Sequence, residues 1–498
     1  MNRLLGSCAA VFLACLGLLG SAVAETRQSD ADTWRALSRL GYGPTPALIA
    51  QVQQAGGPRA WALREIDQAL AASQRPAQLE PAVAEFNAPL PEIFGSYRAE
   101  QAARREKRAN EQAASASAPP MSAPSAQPMP ADDPRLAYGN RMARESAAWR
   151  LTACSRPDIE NPLLARLTEF WFNHLNVSAD KGSVKPFVGS YVLNAIRPHV
   201  LGRFDDLLLA SSRHPAMLYY LDQAQSVADG TMQGKQRRGL NENYARELME
   251  LHTLGVHGGY TQQDVHELAR ILTGWTVAPQ QPGGFRFAPR LHDAQPKALL
   301  GQTFVSARPP QGEEEGIAAI RLLAAQPATA RRIALRLAQW FVADEPPPAL
   351  VDRLAKSFQA SQGNLRTVMR TLVASPAFWD PTNKLFKTPY DYVCSVLTAS
   401  GGAQDDREVN QALGALNGAG QGIHRWPTPD GYKSDAATWL APEALTRRAD
   451  YAMVVARREP SLDYLTPFIQ PATMQRIDAQ PSRLRAGLLL ASPDFMAK

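Results

Sequence analysis

The chain has 498 residues, 45% of them hydrophobic, which is enough to fill sizeable cores and excludes a disordered or collagen-like polymer. Its 53 Lys and Arg exceed its 47 Asp and Glu by a net +6, spread without a long basic run, so no nucleic-acid partner is expected. Four cysteines in so long a chain exclude a disulfide-stapled miniature fold.

The chain opens on MNRLLGSCAAVFLACLGLLGSAVAE: Arg3 supplies a short basic start, an apolar run continues through Leu19, and Ala22-Val23-Ala24 makes a small-x-small cleavage site. Residues 1–24 therefore read as a signal peptide, and the mature chain, starting near Glu25, is expected in the periplasm or medium. FLAC at Cys15 has a lipidation look, but the Leu-rich sequence after it suits the interior of the signal. No later segment approaches the ~20 apolar residues of a membrane span. Only Cys154 and Cys394 remain after cleavage, either as one disulfide or as two buried thiols; the sequence does not choose between them.

Residues 25–105 form an N-terminal helical region, with helical spacing of Ala, Leu, Arg and Glu over 32–74 and 80–108. Residues 106–133, most of them in RANEQAASASAPPMSAPSAQPMPADDP (108–134), carry too little apolar surface to offset ordering and read as a disordered insert. The central region, 134–310, resumes with helices at 136–153, 161–175 and 186–198. In the second, Leu163, Leu167, Phe170, Trp171 and His174 share a face, so His174 points inward, where a core histidine bonded to a backbone carbonyl is the commoner role. Asn173 beside it either caps the helix, the commoner case, or orients a ligand.

The densest chemistry lies in NENYARELMELHTLGVHGGYTQQDVHELARILTGW, residues 241–275. Tyr244, Ala245, Leu248, Leu251 and His252 fall on one helical face, Glu247 at its edge, and Arg246 and Glu250 opposite as an exposed i,i+4 pair. Gly255 ends this helix; Gly258-Gly259 turns the chain; Thr261 and Asp264 form a capping box before a second stripe of Val265, Leu268, Ala269 and Leu272. The two helices read as an αα-hairpin.

Between 280 and 305, apolar and polar residues alternate among Pro and Gly, which predicts an irregular or β-hairpin excursion. It carries His292-Asp293 with Lys297 close behind: either a base, a carboxylate and a cation in reach of a ligand, or an Asx-type turn held by Asp293 with a solvated histidine. His257 and His266 read as surface or boundary residues, and His199 and His424 have no constellation around them. The C-terminal region, 311–498, reads as helices at 313–325, 328–343, 348–360, 364–375, 386–402 and 441–456. FDDLLLASSRHPAM, LRTVMRTLVASPAF and LRAGLLLASPDF echo one another, either as a common way of stopping a helix before Pro or as traces of a duplicated unit.

His174, Glu247, His252, His292 and Asp293 are the groups hardest to explain as surface decoration. Brought together they would suit catalysis, with His252 or His292 as acid/base and Glu247 or Asp293 as orienting carboxylate. His174, His252 and Glu247 would equally suit a divalent zinc, iron or manganese ion as cofactor. No HExxH, CxxC, P-loop or GxSxG pattern is present.

The 241–275 run, with FWFNHLNVS (170–178), HPAMLYYLD (214–222), LHDAQPKALLG (291–301), ALSRLGYGPT (36–45) and WPTPDGYKSDAATWL (426–440), resembles the bacterial Domain of Unknown Function 1800 family over most of the chain. Tyr432 and the insert between about 100 and 135 depart slightly from its pattern. The resemblance implies a secreted, mainly α-helical protein of unestablished activity, encoded beside another exported protein that is a candidate partner. The expected fold is one large multi-helix domain with the αα-hairpin at its centre. The expected function is a periplasmic or secreted hydrolase acting on an extracellular polymer; the alternative is a non-catalytic binding or assembly factor for an exported partner, and the second alternative a metal-dependent redox protein.

Overall fold

A computed structural model describes residues 29–81, 84–116, 134–233, 236–237, 239–305 and 312–498. Residues 1–24, expected to form a signal peptide, and 117–133 of the expected insert lie outside them. The chain is mainly α-helical, with strands confined to short antiparallel pairs. Among the described residues no helix is long and apolar enough to cross a membrane.

Pro and Gly divide what periodicity alone runs together. The stretch 32–74 is three helices, 29–39, Pro46–Gln54 and Pro58–Ser73, because GYGPTP and GGP break it and place Pro in the first turn of the next helix. The next helix is Leu90–Ala116. It continues past 106 into the segment expected to be disordered, since RANEQAASA is built of good helix formers.

The core is organised around Pro162–His174, in which every residue from Leu163 to His174 is buried, and Pro389–Ala399, buried throughout. Helices buried on all sides must pair their charges internally. Arg166 bonds Asp391 and Glu169 bonds Arg150. The Lys498 ammonium also reaches Asp391, and Arg39 donates to Phe378 O at 3.0 Å, so the first and last described helical segments close on the same core. Cys154 and Cys394 are joined by a disulfide, Cα atoms 5.7 Å apart, which ties helix Tyr138–Ser155 to Pro389–Ala399.

The three echoes share one device. His214, Ser375 and Ser492 each adopt extended backbone before a Pro, and each side chain accepts a backbone N–H of the helix that the Pro begins. That is a helix-stop and restart, the first of the two readings. The 280–305 excursion is two hairpins: Trp275–Val277 pairs with Phe285–Phe287, and Lys297–Leu299 with Gln302–Phe304.

Candidate functional site at the π-turn

The first helix of the hairpin is α-helical only over Glu242–Glu247 and then widens into a π-turn, Leu248–His252. The widened turn shifts the periodicity: Met249 joins Tyr244, Ala245, Leu248 and His252 inside, while Leu251 is only half-buried. Its carbonyl accepts from Arg332 Nε at 3.0 Å, and Thr253 Oγ1 donates back to Leu248 O at 2.7 Å, so side chains cover carbonyls freed by the irregular turn. Gly255 follows with φ +86°. The capping box of Thr261 and Asp264 forms as the sequence indicates, opening Gln262–Ile271 with Val265, Leu268 and Ala269 buried.

His174 lies at the end of its helix against this turn, and its Nε2 is 3.1 Å from His252 O. A carbonyl only accepts, so Nε2 carries the proton. Burial pushes the His174 imidazole well below its usual range, with Arg332 and Arg336 adding to the effect. Burial, then Arg332, holds His252 down to about 3. His252 Nε2 is buried with no hydrogen-bond partner. Glu247 is half-buried; desolvation, then Glu250 and Asp430, raise its carboxyl above the ordinary value against the pull of Arg246. The Arg246–Glu250 pair exists at 3.4 Å but is partly buried, Arg246 also donating to Gln262.

The segment 426–432, WPTPDGY, is strapped across this corner. Asn173 Nδ2 donates to Tyr432 O at 2.8 Å and Asn173 Oδ1 accepts from Tyr432 N at 2.7 Å. Asn173 therefore neither caps its helix nor faces a ligand. Asn176 Nδ2 donates to Trp426 O and Thr428 O, and Tyr220 Oη to Pro427 O at 2.7 Å. Gly431 has φ +72°, and a Cβ there would sit 2.0 Å from Asn173 O, so only glycine fits.

His292 is not in this cluster and is not solvated. It is buried, with Nδ1 donating to Thr273 O at 2.9 Å, leaving Nε2 to accept from Lys297 Nζ at 3.3 Å; Lys297 also donates to Glu315 at 2.6 Å. Asp293 is bound by Arg270 at 2.7 Å and accepts Gln295 N at 2.9 Å, the Asx-type turn of the structural reading. The five residues thus fall into two groups: His174, Glu247 and His252 at the π-turn, and His292 with Asp293 around Thr273, Arg270, Lys297 and Glu315. No hydrogen bond or ion pair joins Glu247 to His252 among the described residues, nor do any three His, Cys, Asp or Glu side chains there group so as to hold a metal ion. His257 is exposed and His266 pairs with Glu242 at the surface.

One residue with no constellation in sequence has one in the fold. His424, at φ +63°, is buried; Arg150 Nη1 lies 3.1 Å from its Nδ1 and Ser146 Oγ 3.1 Å from its Nε2. Arg150 only donates, so Nδ1 must be the acceptor and Nε2 must carry the proton toward Ser146. This tautomer is the reverse of what a base activating a serine requires. Burial, then Arg150, keeps the imidazole well below its usual range. The sequence signal was Glu169 amid an apolar helix: a charge there demands a buried partner, Arg150, which in turn needs His424.

A family model described as a protein of unknown function, DUF1800, matches residues 35–497. The chain belongs to the DUF1800 family. Comparison with curated proteins and with solved structures gave no match. For this DUF1800 protein, three of the six segments that carry the resemblance, 170–178, 241–275 and 426–440, meet at the π-turn.

Proposed function

We propose that this DUF1800 chain is an exported, non-catalytic binding or assembly factor whose helical body holds a partner protein exported with it. The observation that supports it is the state of the buried histidines. His174, His292 and His424 direct their ring protons at the chain's own carbonyl or hydroxyl groups, and burial keeps His174 and His424 neutral. Neutral imidazoles held in this way, His174 and His424, specify packing and have no proton to exchange with a substrate at neutral pH. The Cys154–Cys394 bridge, of a kind that persists in oxidising compartments, supports export to the periplasm or medium. The spread of charge over both signs supports a partner other than nucleic acid.

A hydrolytic reading, with an extracellular polymer as substrate, draws support from one feature: the unpartnered His252 Nε2 on the same turn as Glu247, whose carboxyl is raised. A metal-dependent redox role has no ligand set at the π-turn to support it. Complementation of a strain lacking the gene separates the first two. His252→Gln and Glu247→Gln variants that accumulate normally and restore the phenotype support the binding factor. Variants that fold but fail to restore it overturn it in favour of acid/base catalysis.

A further inference from the structure

A second concavity, about 530 Å³, lies away from the π-turn between helix Tyr138–Ser155 and the start of Asp406–Gly418. Leu79, Ala148 and Trp149 give it apolar lining; Glu80, Asp405 and Asp406 are exposed carboxylates around it, and Arg144, which donates to Asp406 at 3.2 Å, is the one cation among the described residues that line it. Glu145 also lines it. That side chain is buried, its residue only 7% exposed, and its Oε2 has no hydrogen-bond partner. The nearest guanidinium, Arg141, stands 3.7 Å from the other oxygen and spends its donors on Glu85. A buried carboxylate oxygen without a donor is costly to keep. It is accounted for if a donor arrives from outside.

We propose that this cleft binds an alkylammonium group, whose N–H bonds are accepted by the Glu145 carboxylate once it turns toward the cleft and whose carbon stem lies against Leu79, Ala148 and Trp149. The three outer carboxylates attract the cation, and the apolar lining sets the stem length. Burial, with Glu85 adding, raises the Glu145 carboxyl above the ordinary value, the direction expected of a carboxylate that lacks a close cation. The proposal is independent of the partner-binding reading, because none of these residues belongs to the π-turn.

Isothermal titration of the full chain with 1,5-diaminopentane and with Nα-acetyl-lysine methylamide tests it, Nα-acetyl-norleucine methylamide serving as the uncharged control. One or both amines bind one to one, and the norleucine derivative does not. Binding of the diamine alone assigns a free small molecule; binding of the lysine derivative alone assigns a side chain presented by a polypeptide. Glu145→Gln weakens binding at least about ten-fold, as expected for a lost charged hydrogen bond. Thr152→Trp, which fills the cleft and leaves Glu145 in place, abolishes it and covers the case in which Glu145→Gln misfolds. No binding by either amine, or equal binding by Glu145→Gln or by Thr152→Trp, overturns the proposal.

Discussion

Asn173 and Tyr432 exchange two hydrogen bonds, 2.8 and 2.7 Å, between one side-chain amide and one residue's backbone N–H and C=O. The amide acts as a strand edge would, and the pairing fixes 426–432 against the end of the core helix. Asn173→Asp keeps the acceptor and removes the donor, leaving Tyr432 O facing a carboxylate. Denaturant unfolding should show a loss of about 1–3 kcal/mol. Gly431→Ala should cost more, since its Cβ would strike Asn173 O and its φ is strained for any other residue. Changes within about 0.5 kcal/mol, the range of an ordinary surface substitution, would contradict the clamp.

The Arg150–Glu169 pair is buried and carries the His424 network. Arg150→Leu strands a carboxylate in the core and should cost about 3–5 kcal/mol. The double variant Arg150→Leu with Glu169→Leu should regain much of that, because no charge is then left unpaired. A double variant as unstable as the single would show that His424 and Ser146 depend on the guanidinium itself.

The disulfide closes a 240-residue span. Replacing both Cys154 and Cys394 by Ser should lower stability by about 2–5 kcal/mol. Thiol titration of the exported, denatured protein should find no free cysteine. Two reactive thiols would return the pair to the buried-thiol reading.

Stability should fall in acid for a reason that involves the histidines. His214 and His252 are held near 3 by burial, and His174 and His424 well below the ordinary value of 6.5. Between pH 6.5 and about 3 the unfolded chain binds protons that the folded chain refuses, so His214 and His252 each remove roughly 1.4 kcal/mol per pH unit as pH falls, and His174 and His424 act in the same direction. Glu65, raised to about 7 by burial, acts in the opposite sense between 4.5 and 7. The steepest loss is therefore expected below pH 4.5, where Asp391, held well below its usual range by Arg166 and Lys498 against its own burial, adds to it. Melting temperatures that stay level from pH 6.5 to 4 would contradict this.

Much of the local structure was legible. The Thr261–Asp264 box, the inward His174 and the Asx turn at Asp293 are set by neighbours within a few residues, so period and spacing disclose them. What escaped depends on distant parts of the chain. The π-turn is held by Arg332, His292 is buried by Lys297 and Glu315, and His424 is enclosed by Ser146, Arg150 and Phe172. Which of the five candidate residues would share hydrogen-bond partners was hidden for the same reason. Helical phase shows that a residue points inward, but not toward which neighbour.

The central claim is that His174, His252 and His424 are fixed, neutral parts of the core. Side-chain ¹⁵N spectra of histidine-labelled protein between pH 8 and 5 test it most directly. His174 and His424 should appear as single neutral tautomers with the proton on Nε2, and His252 as neutral throughout. A resonance from His252 or His174 that titrates between pH 5 and 8 would contradict the account and return the π-turn to consideration as a catalytic site.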